Sequence, residues 1–382
     1  MNEDSNLQSN GRTGQQAQLR AALALSLVPG VGPRIQTLLL QRFCSAAAVL
    51  DQSIQSLQTV EGVGPGIART IAERDWLQAA DQILQECELC HAGILLKLNP
   101  AFPQRLREII DCPSLLYHRG NIAAQDELAI GIVGSRRCTM YGRKQAERLA
   151  GALARAGFTI ISGLARGIDA AAHRGALNAG GRTIAVLATG VRDIYPPEHT
   201  ELAADIAANG AVISEMPVSQ KAKPGLFPQR NRIISGMSLG IIVIEAARNS
   251  GALYTARHAL EQGREVFAVP GNVDSVASEG CHELIRDGVT LIRNADDVLA
   301  ELGPLPIPSN RSPEVTIHNP RELVLNALES EVLNLITSDP IHMDQILRAT
   351  QLDPSRVLAT LTVLEMRRFI RRQPGGMFVR HD

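Results

Sequence analysis

Leu128-Ala-Ile-Gly-Ile-Val-Gly-Ser-Arg136 is the stretch that decides the fold. A run of apolar, largely β-branched residues stops at a Gly-Ser turn, and helical apolar spacing follows, which reads as strand, tight turn, helix. The pattern returns at Phe158–Ser162, Thr183–Leu187, Ala211–Ser214, Ile241–Ile244, Val266–Val269 and Val289–Ile292. Short apolar runs alternating with Ala-rich helical stretches predict an α/β domain over 128–302, with a parallel sheet covered on both faces. Ligand loops then gather at the strand ends.

Working outward, 382 residues predict two or three domains. Residues 19–85 carry Val28-Pro-Gly-Val-Gly-Pro33 and Val60-Glu-Gly-Val-Gly-Pro-Gly66 beside helical spacing, the pattern of two helix-hairpin-helix turns. Such turns either bring backbone N–H groups to a phosphate or simply join helices, and with only Arg34 and Arg69 nearby any DNA contact would be weak and blind to sequence. Residues 86–127 read as a connecting segment and 303–320 as a Pro-rich linker. Beyond it, 321–382 offers three helical stretches with a turn at Gln351-Leu-Asp353, then Arg-rich segments around Gly375-Gly376, the shape of a winged helix. Its acidic Glu322, Glu329 and Glu331 leave protein contacts as open as DNA binding.

The first 18 residues are polar and read as a disordered tail, with no basic segment followed by an apolar one. A protein of the cytoplasm, away from the membrane, is the expectation. The net charge of −1 gives no global pull on polyanions, so a nucleic-acid site must be a local concentration of cations. Six scattered cysteines read as thiols, and Cys87-Glu-Leu-Cys90-His91, although it spells a haem-attachment pattern, reads as the end of a helix. There is no Walker loop, no G-x-G-x-x-G and no H-E-x-x-H, so catalytic residues, cofactors and metals are all expected to be none.

The turns after the strands carry the chemistry. Gly134, Ser135, Arg136 and Arg137 form a donor-rich turn suited to a phosphate. Ser162, Gly163 and Arg166 form another, followed by Asp169 and His173 at helical spacing, where a structural hydrogen bond is expected. Ser250 and Gly251 open a third helix. Phe227-Pro-Gln-Arg-Asn-Arg232 sets a ring beside Arg230, Asn231 and Arg232 in what reads as a Pro-flanked loop: a ring to stack a base, Asn to read an edge, Arg to grip phosphate. A buried anchor is the other reading of Phe227. Lys221 and Lys223 precede it, two of only four lysines in the chain.

Several donor-rich turns around one sheet edge suit a chain of phosphates, as in single-stranded nucleic acid. In order along 134–271, the motifs Gly134-Ser-Arg136, Ser162-Gly-Leu-Ala-Arg-Gly-Ile-Asp169, Thr189-Gly-Val-Arg-Asp-Ile-Tyr-Pro196, Ile213-Ser-Glu-Met-Pro217, Phe227-Pro-Gln-Arg-Asn-Arg232, Ser250-Gly-Ala-Leu-Tyr-Thr-Ala256 and Val269-Pro-Gly271 resemble the bacterial DNA-processing protein A (DprA/Smf) family. The resemblance implies an extended Rossmann-like domain between a helical (helix-hairpin-helix/SAM-like) domain and a winged-helix domain. It further implies a dimer that binds single-stranded DNA in natural transformation and hands it to RecA recombinase, with single-strand-binding protein as a further partner. Ser135, Arg136, Phe227, Arg230, Asn231 and Arg232 are the site residues it implies. One departure is His282, where the resemblance implies Asn, a better helix cap. Two rivals remain: a nucleotide N-glycosidase using Glu215 or Glu245, whose P-G-G-x-G-T signature is broken here at Pro270-Gly-Asn, and a scaffold acting through the winged helix.

Overall fold

The computed structural model describes residues 3–73, 75–303, 327–336, 340–350, 354–366, 369–373 and 377–380. The expected linker beyond Gly303 and the turns at 351–353 and 374–376 lie outside the described residues.

The N-terminal part is helical: α1 (Glu3–Ser26), α2 (Pro33–Phe43), α3 (Ala46–Leu50), α4 (Ile54–Leu57), α5 (Pro65–Glu73) and α6 (Trp76–Leu89). Helix α1 begins at Glu3, over residues where a disordered tail was expected. Gln, Leu, Arg and Ala from Gln15 onward are strong helix formers, and propagating an existing helix through polar residues is inexpensive. The two hairpin turns mirror each other: Gly30 and Gly62 sit at φ 85° and 83°. A side chain on Gly30 would meet Ile67, and one on Gly62 would meet Ile35. Arg34 spans the turns to Glu61 at 3.2 Å, so one of the two cations beside them already has an anionic partner.

The central sheet has nine strands: β1 (Gly93–Leu96), β2 (Leu115–Gly120), β3 (Ala129–Gly134), β4 (Thr159–Ser162), β5 (Thr183–Leu187), β6 (Ala211–Ser214), β7 (Gly240–Ile244), β8 (Glu265–Ala268) and β9 (Thr290–Leu291). Their order is β1-β2-β6-β5-β4-β3-β7-β8-β9. All seven predicted strands are present and parallel. The segment 86–127 is more than a connector, because β1 and β2 extend the sheet antiparallel beside β6. Its strands escape sequence reading because they are Leu-rich rather than β-branched.

Helices α8 (Met140–Arg155), α9 (Ile168–Asn178) and α14 (Ala295–Leu302) cover one face, packing Leu149, Leu153, Ile168, Val298 and Leu299 on Ile130, Ile132 and Ile242. The short α7 (Gln104–Arg107), then α11 (Leu226–Gly236) and α12 (Gly251–Glu261), cover the other through Leu106, Ile233, Ile234, Ala252 and Ala256. Between α9 and α11 comes α10 (Thr200–Asn209), and α13 (Glu279–Arg286) follows β8. The N-terminal helices share a core with Leu115, Tyr117, Leu187 and Ile206 at the β2 side of the sheet.

At the C-terminal end, α15 (Ala327–Asn334), β10 (Ile341–His342), α16 (Met343–Ala349), α17 (Pro354–Met366), β11 (Ile370–Gln373) and β12 (Met377–Arg380) give three helices and a sheet of order β10-β12-β11, the expected winged helix. Val332, Ile346, Leu361, Leu364 and Phe378 form its core.

Asp169 and His173 do not bond to each other. The Asp169 carboxylate accepts from the Gly163 and Ala165 amides, stapling the turn after β4. His173, fully buried, places Nδ1 2.7 Å from Thr183 Oγ1, which itself donates to Ile160 O at 2.7 Å. Nδ1 therefore carries the proton, and Nε2 is buried with no partner among the described residues. Burial first, then the nearby charges, push the imidazole pKa down to about 3. The folded value lies below the unfolded one of about 6.5, so between them the unfolded chain binds more protons and stability falls as pH falls. At pH 5 this group should lower the unfolding free energy by about 2 kcal/mol relative to pH 7. In urea unfolding at the two pH values, that part of the decline should vanish in His173→Gln.

Candidate nucleic-acid interface

Strand β3 lies between β4 and β7, where successive connections leave the sheet centre in opposite directions. Such a reversal opens a crevice at the carboxyl ends of the strands, the usual ligand position in open α/β sheets. The turns after β3, β4, β5, β6 and β7 converge on this edge.

Gly134 ends β3, and the hydroxyl of Ser135 accepts from the Arg137 amide at 3.1 Å, setting the turn. Arg136 and Arg137 leave it into solvent. The Arg136 guanidinium lies 5.2 Å from the centre of the Phe227 ring, a cation–π pair. Tyr195 meets the same ring edge-on, with centroids 5.6 Å apart and planes at 60°. Arg166 lies near Tyr195 and ion-pairs Glu198 at 2.5 Å. Arg166, Tyr195, Phe227 and Arg136 thus form one arc of two rings and two guanidinium groups. Phe227 is half-buried within that arc rather than a core anchor. Sequence reading placed Tyr195 inside a motif but missed it as a site residue; the signal was a tyrosine in a chain with only four.

The Phe227 segment is not a loop. It is the first turns of α11, and Pro228 fits there because the first helical turn has no intrahelical partner for its missing N–H. The helix has a physical consequence for the arginines. Arg230 is 6% exposed and donates to Gly163 O at 2.7 Å and to Val186 O, so it braces the ends of β4 and β5 instead of gripping a phosphate from solvent. Burial pulls its pKa down to about 10, with Asp169 acting in the opposite direction, and it stays charged at neutral pH. Arg232, 7% exposed, pairs with Glu215 at 2.7 Å and Asp111 at 2.9 Å, and is likewise removed from phosphate contact. Burial pushes the Glu215 carboxyl up while Arg232 pulls it back. Ser162 is also internal, its hydroxyl donating to Ile132 O at 2.6 Å. Gly163 is buried against Arg230, whose guanidinium fills the place a side chain would take.

Asn231 is half-buried, with its amide 3.3 Å from Gly251 O, joining α11 to α12. Ser250 caps α12 through the Ala252 amide, and Gly251 is exposed beside it. Lys221 and Lys223 are both exposed on the approach to α11. His282 lies inside α13, 3.2 Å from Gly271 O, while Ser278 holds the cap position, so the capping concern at His282 does not arise. The carboxylates an N-glycosidase would need are engaged: Glu215 with Arg232, and Glu245 accepting from the Thr139 amide and hydroxyl. No group of metal-ligating side chains occurs among the described residues, and no described helix is long and apolar enough to cross a membrane.

A Rossmann-like sheet whose switch point carries rings and guanidinium groups, with no glycine-rich dinucleotide loop, places the chain in a class of α/β proteins whose carboxyl edge has the chemistry to meet bases and phosphates. Residues 93–303 match the model of DNA recombination-mediator protein A, 318–376 the DprA winged helix domain and 22–74 a SAM-like helix-hairpin-helix tandem. The chain is 36% identical to protein Smf of Synechocystis sp. over 94% of its length and 98% of the relative's. Among solved structures, DNA processing protein A of Streptococcus pneumoniae superposes with a TM-score of 0.64 at 34% identity, covering 73% of this chain and 95% of that one. The same protein of Helicobacter pylori, described for its single-stranded DNA binding mode, gives 0.50 at 30% identity over 55% and 95%. The chain belongs to the DprA/Smf family of DNA-processing recombination mediators.

Removing one member of a buried ion pair strands the other, at about 3–5 kcal/mol. Arg232→Ala should therefore lower the unfolding free energy by about that amount, whereas Arg136→Ala should change it by no more than about 0.5 kcal/mol, as expected of an exposed side chain. Urea denaturation of both variants separates the bracing arginine from the one free to meet a ligand.

Proposed function

We propose that this protein binds single-stranded DNA along the carboxyl edge of the sheet, with little sequence preference, protects incoming strands and delivers them to RecA recombinase. The observation that carries the reading is the half-buried Phe227 ring, flanked by Arg136 and Tyr195 at the switch point. A base stacks on the open part of that ring, while Arg136, Arg137, Lys221 and Lys223 meet the phosphates. Ser135 and the turns at Arg166, Ser250 and Gly251 supply further donors. Arg230 and Arg232 act from within, fixing the helix that carries the ring. Family membership supports this reading, as does the single-stranded DNA binding described for the Helicobacter pylori relative.

The protein acts in the cytoplasm as a homodimer during DNA uptake, where single-strand-binding protein meets the same strands. The hairpin tandem adds little phosphate affinity, since Arg34 is held by Glu61.

Titrating the full chain with labelled single-stranded and double-stranded oligonucleotides of one sequence, by fluorescence anisotropy at several salt concentrations, tests the reading. The single strand should bind more tightly. Phe227→Ala should weaken it by about 1–3 kcal/mol with the salt slope nearly unchanged, and Arg136→Ala should lower that slope by about 0.7. A folded Phe227→Ala protein that binds as the native one does would remove the stacking role, and release of free base from a nucleoside monophosphate would restore the N-glycosidase reading.

A further inference from the structure

A second ring and guanidinium pair stands outside the arc around Phe227. On α12, Tyr254 is 51% exposed and the Arg257 guanidinium lies 5.6 Å from its ring centre. Arginine also approaches rings elsewhere among the described residues, but Phe102 and Phe378 are 2% and 4% exposed and Phe43 packs against the core of the N-terminal helices. Tyr254 differs, because it is exposed on the surface of α12. Its neighbours on α12, Ala252, Thr255, Ala256 and Ala259, supply the buried face.

Position gives the pair its meaning. Phe227 and Asn231 are four apart on α11 and so share a face. Asn231 bonds to Gly251 O across the helix boundary, and Gly251 and Tyr254 are three apart on α12. A path therefore leads from the first ring over the α11–α12 junction to the second.

We propose that Tyr254 and Arg257 form a second nucleotide subsite, in which Tyr254 stacks a base farther along the strand than the one on Phe227 and Arg257 meets the adjoining phosphate. This rests on the single-strand reading above and adds a direction to it: the strand leaves the switch point toward α12. Arginine and aromatic planes together stack unpaired bases irrespective of sequence, which suits a site that must accept any strand. Phe227 stands on α11 and Tyr254 on α12, so the two rings can be removed separately.

The test uses the full chain and labelled oligothymidylates of three and twelve nucleotides. Tyr254→Ala should weaken the twelve-mer about tenfold and leave the trimer unchanged, with Tyr254→Phe binding as the native protein does. Arg257→Gln should lower the salt slope for the twelve-mer alone by about 0.7. Phe227→Ala should weaken both lengths. If Tyr254→Ala binds both lengths as the native chain does, the second subsite is wrong while the first stands. Equal weakening at both lengths also overturns it, by making Tyr254 part of the first pocket. Failure of the native chain to bind the twelve-mer at all would overturn the single-strand reading itself.

Discussion

The Arg230 guanidinium, buried beneath the turn after β4, is the constraint on which the site depends. It ties α11 to the carboxyl ends of two neighbouring strands through Gly163 O and Val186 O, partners 67 and 44 residues away in sequence. One turn earlier on the same helix stands Phe227, so whatever fixes Arg230 fixes the ring. Asp169 completes the lock: it accepts the two amides of that turn and supplies the negative charge nearest to Arg230. A cation taken out of water is expensive unless its hydrogen bonds are met, and here carbonyls meet them where a helix and a sheet edge must be joined.

Two kinds of arginine follow from this arrangement, and they divide the work. Arg230 and Arg232 are internal, bonded and rigid; they orient α11 and cannot leave without exposing buried anions or carbonyls. Arg136 and Arg137 are exposed and free to meet a phosphate. Arginine suits both tasks because its planar fork bonds several oxygens when buried and stacks on rings when exposed. A chain with 38 basic residues and a net charge of −1 can therefore present a local cationic edge without being basic overall.

The seven parallel strands were legible because strands buried on both faces need continuous apolar runs, and here those runs are largely β-branched. The antiparallel strands β1 and β2 were not, since Gly93-Ile-Leu-Leu and Leu115-Leu-Tyr-His lack β-branching at most positions. In the candidate site, Ser135, Arg136 and Phe227 stand out by residue type and turn position. The burial of Arg230 and Arg232 was not, because it depends on carbonyls and carboxylates brought from distant strands. Proline and glycine near Phe227 suggested a loop, although Pro228 is compatible with a first helical turn. Tyr195 was hidden for a related reason: its partner in the edge-on contact lies 32 residues on, and only the sheet brings them together.

The shape of the Phe227 arc carries its own selectivity on the proposed reading. With Arg136 and Tyr195 already against the ring, a base reaches it only by leaving its stack. In a duplex, unstacking and unpairing a base costs a few kcal/mol, which is comparable to the about 1–3 kcal/mol that stacking on one ring returns. The ring alone cannot open a duplex. A single strand, whose bases splay freely, meets the same ring at little cost, and because every base has a flat face the gain is nearly the same for all four. Preference for single strands and indifference to sequence thus arise from one geometric fact, and the rigidity that Arg230 imposes on α11 means that little of the gain is lost in ordering the ring.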